Sequence, residues 1–265
     1  MIFSSERRFI FFHNPKCGGT SVRDMLAPWH DEDLPTWGID PEGTHDRTHI
    51  GIDEFAQRHP QRWAAAQGYK LCSLYRDPYR RFISAVFEHA RNFRNIDIRY
   101  ATPTQRRRMV TDRIEALTPL SQAEQVMHDP QLAHFRPQWI FHRSVDRDVT
   151  VKSFPVKQIP EMFAYLELPI SDDNPEMQRN SRAVYTLPGP IAAMVSSRSL
   201  RRASRGLVPP RLRTIAKDWL HRRRSTPDTT IPPGERDTIC RFVDGFYRTD
   251  FEHFGFPTET PELSV

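Results

Sequence analysis

The segment RFIFFHNPKCGGTSV, residues 8–22, decides the fold class of this chain. Its apolar run at residues 8–13 is bounded by polar residues and a proline, which is typical of a short buried strand. A turn with Gly18 and Gly19 follows, and apolar residues then recur at helical spacing from Thr20 onward. The order of strand, glycine turn and helix is the first unit of an α/β fold.

Two further apolar runs, at residues 69–75 and 149–156, predict two more strands. Helices are predicted at residues 20–27, 52–58, 78–93, 104–117, 121–128, 158–168 and 233–254, and loops at residues 28–48 and 174–185. Strands that alternate with helices predict a mainly parallel sheet. The length of 265 residues, without an internal repeat, predicts a single domain over residues 1–265 with a basic helical insert at about residues 196–228.

The composition excludes several classes of protein. Hydrophobic residues make up 38% and charged residues 27% of the chain, which excludes a membrane-embedded protein and a wholly disordered one. The apolar run at Phe9–Phe12 is too short for a signal sequence, so the expected location is the cytoplasm. The three cysteines are far apart and the histidines are scattered, so neither a disulfide framework nor a metal site is expected.

Basic residues are concentrated in residues 198–224, where ten Lys and Arg residues accompany one acid, Asp218. The rest of the chain has 28 basic and 32 acidic residues, so the net charge of +5 is a local property. This basic segment is either a solvated helical insert or a surface for an acidic glycan or for the anionic inner face of a membrane, which would make the protein peripheral there. Trp219 is its one aromatic residue for base stacking, so specific nucleic-acid binding is not expected.

The turn after the first predicted strand has the features of an anion-binding loop, and residues 13–21 are called the phosphate loop below. Glycines allow the backbone to approach an anion, and the N–H groups at the start of the helix would point at it. Lys16 adds a full positive charge, and Thr20 and Ser21 add hydroxyl donors. A P-loop NTPase has its lysine after the glycines, whereas Lys16 precedes them, so the NTPase arrangement of lysine and magnesium is not expected.

A second anion-binding signal lies in RDPYRRFISA, residues 76–85. Arg76 follows a predicted strand, and Ser84 lies on the helix after it. An arginine offers a planar fork to a phosphate and a serine adds one hydroxyl, so the two side chains could hold a phosphate together.

The two segments together resemble the nucleotide motifs of sulfotransferases that use 3′-phosphoadenosine 5′-phosphosulfate (PAPS). The similarity is greatest to the carbohydrate sulfotransferase group called sulfotransferase family 2. In that family a P-K-x-G-G-T-S loop holds the 5′-phosphosulfate, and an R-D-P segment holds the 3′-phosphate. The resemblance covers roughly residues 8–256, with weaker agreement at HFRPQ (134–138), RNSR (179–182) and YRTDFEHFGF (247–256).

This resemblance implies a P-loop-like three-layer core, with a central sheet flanked by helices, and a reaction without a metal. It implies sulfuryl transfer from PAPS, leaving the product PAP, to a hydroxyl or less readily an amine of a carbohydrate or glycolipid. The residues that it assigns to the donor are Lys16, Cys17, Gly18, Gly19, Thr20, Ser21, Arg76, Ser84, Asn180, Ser181 and Arg182. For Arg136 and Gln138 three roles are open: a contact with the acceptor, a brace for the phosphate loop, or a structural turn with Trp139 and Phe141 in the core.

Transfer to a hydroxyl requires a general base, which the resemblance places between the two nucleotide motifs. His49, His45 and Glu54 are all candidates, and the choice among them stays open. Cys17 stands beside Lys16 at a helix start, where a thiolate would be favoured, but the loop holds no histidine partner for it except His13. We therefore interpret Cys17 as a small space-filling residue.

Two other functions remain open from the residues alone. One is a P-loop-like nucleotide kinase, which the position of Lys16 disfavours. The other is a non-catalytic protein that binds an anionic polymer or a membrane surface through residues 198–224.

Overall fold

The computed structural model describes residues 1–35, 38–39, 46–127, 129–170, 184–185, 197, 199, 224–225 and 233–258. These residues form a mixed α/β fold around a four-stranded, mostly parallel sheet. Its strands lie in chain order and are β1 (Ile2–Ser4), β2 (Phe9–Phe12), β3 (Lys70–Tyr75) and β4 (Lys152–Pro155). β1 is antiparallel to β2, whereas β2, β3 and β4 run parallel to one another.

The parallel strands bring the two predicted anion-binding segments to one edge of the sheet. Phe12 pairs with Ser73, so β2 and β3 end close together. The phosphate loop leaves the carboxyl end of β2, and Arg76 follows the carboxyl end of β3. In open parallel sheets, ligands bind at this edge.

Helices cover both faces of the sheet, and every residue of β2 is therefore buried. Alternate residues face opposite sides of the sheet. Phe9 and Phe11 belong to one apolar cluster, and Ile10 and Phe12 to the other. The first cluster includes residues of the helices α1 (Gly19–Leu26) and α6 (Ile159–Leu166), and the second includes residues of α2 (Ile52–Arg58) and of a 3₁₀ helix at Trp139–Phe141. Burial on both faces explains why β2 is a continuous apolar run.

The remaining elements complete the described part of the chain. The other α-helices are α3 (Pro60–Ala65), α4 (Pro78–Phe93), α5 (Pro103–Leu117), α7 (Pro233–Phe246) and α8 (Arg248–Phe254). Further 3₁₀ helices span Ala27–Trp29, Ile98–Tyr100, Thr118–Leu120, Ala123–Val126 and Pro130–Phe135, and β5 (Val184–Tyr185) pairs antiparallel with β6 (Arg224–Ser225). None of the helices in the described part of the chain is long and apolar enough to cross a membrane.

The predicted mainly parallel α/β architecture and its three principal strands are confirmed, and five local features differ from the prediction. β1 was not predicted because three residues carry too little periodicity, and α3 was not predicted either. The helix predicted at 121–128 is a 3₁₀ turn at Ala123–Val126, and the one predicted at 233–254 is broken at Tyr247. The loop predicted at 174–185 ends in β5.

The chain divides into two compact units. The first comprises Met1–Arg81, Leu120–Asn180 and Val243–Thr258, and it holds the four-stranded sheet. The second comprises Phe82–Pro119, Ser181–Phe242 and Glu259–Val265. Within the second unit α5 begins with a capping box, in which the side chains of Thr102 and Gln105 each accept the backbone N–H of the other residue.

Candidate functional site

The phosphate loop has the left-handed backbone that a tight anion-binding turn needs. Lys16 has a φ of 64° and Gly18 a φ of 77°. The left-handed region costs a lysine about 1–2 kcal/mol, whereas glycine adopts it readily. Such strain at a non-glycine residue is often found at functional sites, because the surrounding structure must hold it in place.

The helix that follows the loop begins without a side-chain cap. Gly18 is the N-cap residue of α1, and Val22 N donates the first helical hydrogen bond to Gly18 O at 3.3 Å. The N–H groups of Gly19 and Thr20 precede that bond, in the first turn, where backbone N–H groups have no acceptor within the helix. The predicted donors thus stand at a helix terminus with its partial positive charge.

The ring of His13 fills the space that a side chain at position 19 would need, so the position requires a glycine. A Cβ added to Gly19 would lie 2.0 Å from His13 Cδ2 and 2.1 Å from His13 Nε2. His13 is 3% exposed, so its ring has little room to move away. The imidazole of His13 therefore packs directly on the first residue of α1.

We expect Gly19→Ala to lower the free energy of unfolding by about 1–3 kcal/mol, the usual cost of overpacking. Chemical denaturation measures this loss. Gly245→Ala is the matched control, because Gly245 lies in α7 with nothing within 4 Å of an added Cβ. It should be neutral or stabilising by up to about 1 kcal/mol. If the clash with His13 is the cause, Gly19→Ala should cost clearly less in a His13→Ala background, and an equal cost in both backgrounds would contradict it.

The side-chain amide of Gln138 joins the two predicted anion-binding segments. Its Oε1 accepts the backbone N–H of Arg76 at 3.0 Å, and its Nε2 donates to Arg76 O at 2.9 Å. The same Oε1 lies 3.3 Å from both Asn14 Nδ2 and Cys17 Sγ, which donate to it. Arg76 Nη1 also donates to Lys16 O at 3.5 Å. These contacts fix the start of the R-D-P segment against the phosphate loop.

Asp250 in α8 holds Gln138 in place. Its Oδ1 accepts the backbone N–H groups of Gln138 at 2.7 Å and of Trp139 at 3.0 Å. Burial raises the pKa of Asp250 to about 6, and the guanidinium of Arg81 opposes that rise. Gln138 itself is fully buried, so its contacts match the bracing alternative, and a direct contact with an acceptor stays a prediction.

Arg81 is fully buried and supports the phosphate loop. Its Nε donates to Pro15 O at 3.1 Å, and its Nη2 donates to Arg136 O. Its guanidinium also lies 5.5 Å from the centre of the Tyr247 ring, and the Tyr247 hydroxyl donates to Phe135 O at 3.0 Å. A buried arginine that donates to two backbone carbonyls is a rigid brace, and removing it would expose unpaired acceptors.

Cys17 has the environment of an inert thiol. It is fully buried, and that burial raises its pKa to about 12 despite the nearby arginines Arg81 and Arg76. A thiol with this pKa stays protonated near neutral pH, and a protonated thiol is a poor nucleophile. The structure therefore agrees with the interpretation of Cys17 as a space-filling residue.

His49, the first candidate for the general base, lies beside the phosphate loop. Its ring centre is 4.8 Å from that of His13, whose ring packs on Gly19, and 5.2 Å from that of His134. Its Nδ1 lies 2.6 Å from Asp46 Oδ2. Burial lowers the pKa of His49, and Asp46 opposes that shift. The imidazole is therefore held neutral near pH 7, the form in which it can accept a proton.

Arg136 braces the segment that carries His49. Its Nη1 donates to His49 O at 2.9 Å and to Glu54 Oε2 at 3.3 Å, and the side chain is 1% exposed. Glu54 also pairs with Arg58 at 3.2 Å. Two arginines thus engage the Glu54 carboxylate, which makes it a weaker candidate for the base than His49. A contact between Arg136 and an acceptor stays a prediction.

The remaining predicted site residues are placed less fully. Ser84 lies in α4, is 9% exposed and belongs to the second unit. His45, Asn180, Ser181 and Arg182 lie outside the described residues, as does nearly all of the basic segment at residues 198–224. Among the residues that are described, no group of three or more His, Cys, Asp or Glu side chains is placed to hold a metal ion.

Four residues of this site were not predicted, namely His13, Asp46, Arg81 and Asp250. Arg81 and Asp250 lie inside segments that carried the family resemblance, but a sequence does not reveal that they reach backbone atoms far away in the chain. The spacing of Asp46 and His49, three residues apart, was the available signal for their pairing.

Comparison with known proteins adds no relative, because no family model, curated protein or solved structure matches this chain.

Proposed function

We propose that this protein is a PAPS-dependent sulfotransferase with a P-loop-like three-layer core. Its acceptor would be a hydroxyl, or less readily an amine, of a carbohydrate or glycolipid. The observation that supports this best is a convergence at the carboxyl edge of the sheet. There the phosphate loop, Arg76 and His49, which are far apart in the sequence, are joined by Gln138 and by the ring of His13.

The residues present fit an anionic donor. A donor that brings a phosphosulfate would supply an activated sulfuryl group and an anionic leaving group. The uncapped start of α1 offers backbone N–H groups. Lys16 supplies positive charge next to these groups, where negative charge grows as the leaving group departs. Arg76 would bind the 3′-phosphate through its guanidinium.

His49 would take the acceptor proton. In the transfer, the bond between sulfur and the bridging oxygen breaks, and a bond between sulfur and the acceptor oxygen forms. The electron pair of the broken bond leaves with PAP, and the hydroxyl proton moves to Nε2 of His49. Proteins usually catalyse the transfer of phosphoryl and similar anionic groups with positioned positive charges and a general base.

The proposal is tested by combining a binding and a transfer assay in buffer with EDTA. PAP should raise the melting temperature without Mg²⁺, since a ligand that binds the folded state stabilises it. Transfer of radiolabelled sulfate from PAPS to a panel of glycans and glycolipids should give a labelled product. A protein stabilised by ATP only with Mg²⁺ would be a kinase instead, and one that PAP does not stabilise would contradict the proposal.

Arg76→Ala should weaken PAP binding by about 1.5–3 kcal/mol, the range for a hydrogen bond to a charged group. Isothermal titration calorimetry measures the change. Arg7→Ala is a matched control, because Arg7 lies in the turn between β1 and β2, at the opposite edge of the sheet, with a side chain 51% exposed. Equal affinity of the Arg76→Ala variant and the parent for PAP would remove Arg76 from the donor site.

The basic segment at residues 198–224 completes the proposal. Its charge would attract the anionic inner face of a membrane, where a glycolipid acceptor would be found, or an acidic glycan. This part of the proposal rests on the sequence alone, and a protein that stays in the cytoplasm would make only a peripheral contact.

A further inference from the structure

The pair formed by His49 and Asp46 has the geometry of a base with a fixed proton position. Asp46 Oδ2 lies 2.6 Å from His49 Nδ1, and the two side chains are 9% and 11% exposed. Hydrogen bonds from the His49 ring and from the Thr48 N–H, together with the Arg136 guanidinium, lower the pKa of the Asp46 carboxyl below its usual value, although burial alone would raise it. Asp46 is therefore an anionic acceptor near neutral pH, and Nδ1 of the neutral imidazole donates to it.

The backbone keeps Asp46 in this orientation. Its Oδ1 accepts the N–H of Thr48 at 2.8 Å, and the N–H of His49 lies 3.4 Å from the same oxygen. One carboxylate oxygen is thus used by the turn at residues 46–49, while the other is used by the ring. Arg136 fixes the same turn from the other side through His49 O.

The second ring nitrogen, His49 Nε2, is the atom that can accept a proton. Within the described residues, no hydrogen-bond partner is found for His49 Nε2. An imidazole whose Nδ1 holds the proton has its lone pair on Nε2, which is the nitrogen that can accept a proton. An unfixed imidazole would spend part of its time with the proton on Nε2, where it cannot act as a base.

We infer that Asp46 is the positioning residue of the active site, holding His49 with its proton on Nδ1 so that Nε2 receives the acceptor proton. This inference rests on the proposed function for the identity of the reaction, while the position of the proton is a property of the folded protein alone. Several charged or titratable groups surround His49, and each enters its titration. They are His13 from the phosphate loop, His134 from the 3₁₀ helix at Pro130–Phe135, Arg136, Asp46 and the amino group of Met1.

The first measurement is the ¹⁵N spectrum of the imidazoles, with the His49 signals assigned by their loss in His49→Ala. The parent should show a protonated Nδ1 and an unprotonated Nε2 near pH 7. In Asp46→Asn the Nε2–H form should appear, and the pKa of His49 should fall further because the raising charge is gone. Asp53→Asn is the matched control, since Asp53 binds Ser144, Val145 and Arg147 instead, and it should leave the His49 signals unchanged.

The second measurement is the pH profile of sulfuryl transfer. Asp46→Asn should lower kcat at least about tenfold, with little change in PAP affinity. The fall of kcat on the acid side of the pH profile, called the acid limb, should move to lower pH. Asp46→Ser separates the turn from the ring, because a serine can still accept the Thr48 N–H but is too short to reach Nδ1. It should therefore keep the turn and still fold, although less stably because Nδ1–H loses its acceptor, and it should lose turnover.

The outcomes distinguish this inference from the proposed function. A parent His49 that carries its proton on Nε2 would overturn the inference, whatever the reaction is. Unchanged kcat and an unchanged acid limb in Asp46→Asn would overturn it too, and Asp46 would then serve the turn alone. A parent that transfers no sulfate would overturn the proposed function, and with it the role of Asp46 in catalysis, while the imidazole spectrum would still report whether Asp46 fixes the ring.

Discussion

Lys16→Ala should reduce kcat for sulfuryl transfer by about 10²–10³-fold, the effect of removing one positioned donor from a developing negative charge. The affinity for PAP should fall much less, because the charge on the bridging oxygen grows as the bond to sulfur breaks. This expectation rests on the left-handed backbone of Lys16, at φ 64°, and on the adjoining start of α1. Steady-state kinetics and calorimetry with PAP separate the two effects.

Two companion variants separate the charge of Lys16 from the shape of the loop. Lys16→Asn removes the charge but keeps a residue that tolerates the left-handed region, so it should lose turnover as Lys16→Ala does. Lys16→Arg keeps the charge and should retain more activity than either. Equal losses in kcat and in PAP affinity would mean that Lys16 contributes only to binding of the donor.

The fold could be predicted from local patterns where those patterns were strong. β2 and β3 are short apolar runs that end in a charged or proline-containing turn, and α4 begins with a proline at a first helical position. The break at Tyr247 was not predictable in this way, because the apolar face of α7 continues into α8. Tyr247 is instead held by a contact with Phe135, more than a hundred residues away in the chain.

In the candidate site, too, local patterns predicted some residues but not the contacts between distant parts of the chain. Lys16, Gly19 and Arg76 were predicted because each lies in a contiguous motif with an anion-binding geometry of its own. The role of Gln138 depends on reaching Asn14, Cys17 and Arg76, which no local pattern encodes. Local motifs therefore predicted the residues that are proposed to touch a donor, whereas the residues that brace them are visible only in the three-dimensional arrangement.

His49→Ala should lower kcat by about 10²-fold or more and leave the affinity for PAP unchanged, because a base contacts the acceptor proton and not the nucleotide. The parent rate should fall on the acid side, since protonation of His49 removes the lone pair that accepts the proton. An unperturbed imidazole titrates near ~6.5. Burial lowers the pKa of His49, so the acid limb should lie below that value.

His45→Ala and Glu54→Gln, assayed beside it, decide among the three candidate bases. His49 has an unengaged Nε2 within the described residues, whereas Arg58 and Arg136 both engage Glu54. We therefore expect Glu54→Gln to affect turnover less than His49→Ala does. His45→Ala should retain near-parental turnover. If His45→Ala alone is inactive, the base lies on the predicted segment but at the other histidine. If both histidine variants retain near-parental turnover, the base lies elsewhere, and a loss of the acid limb in Glu54→Gln would identify that carboxylate.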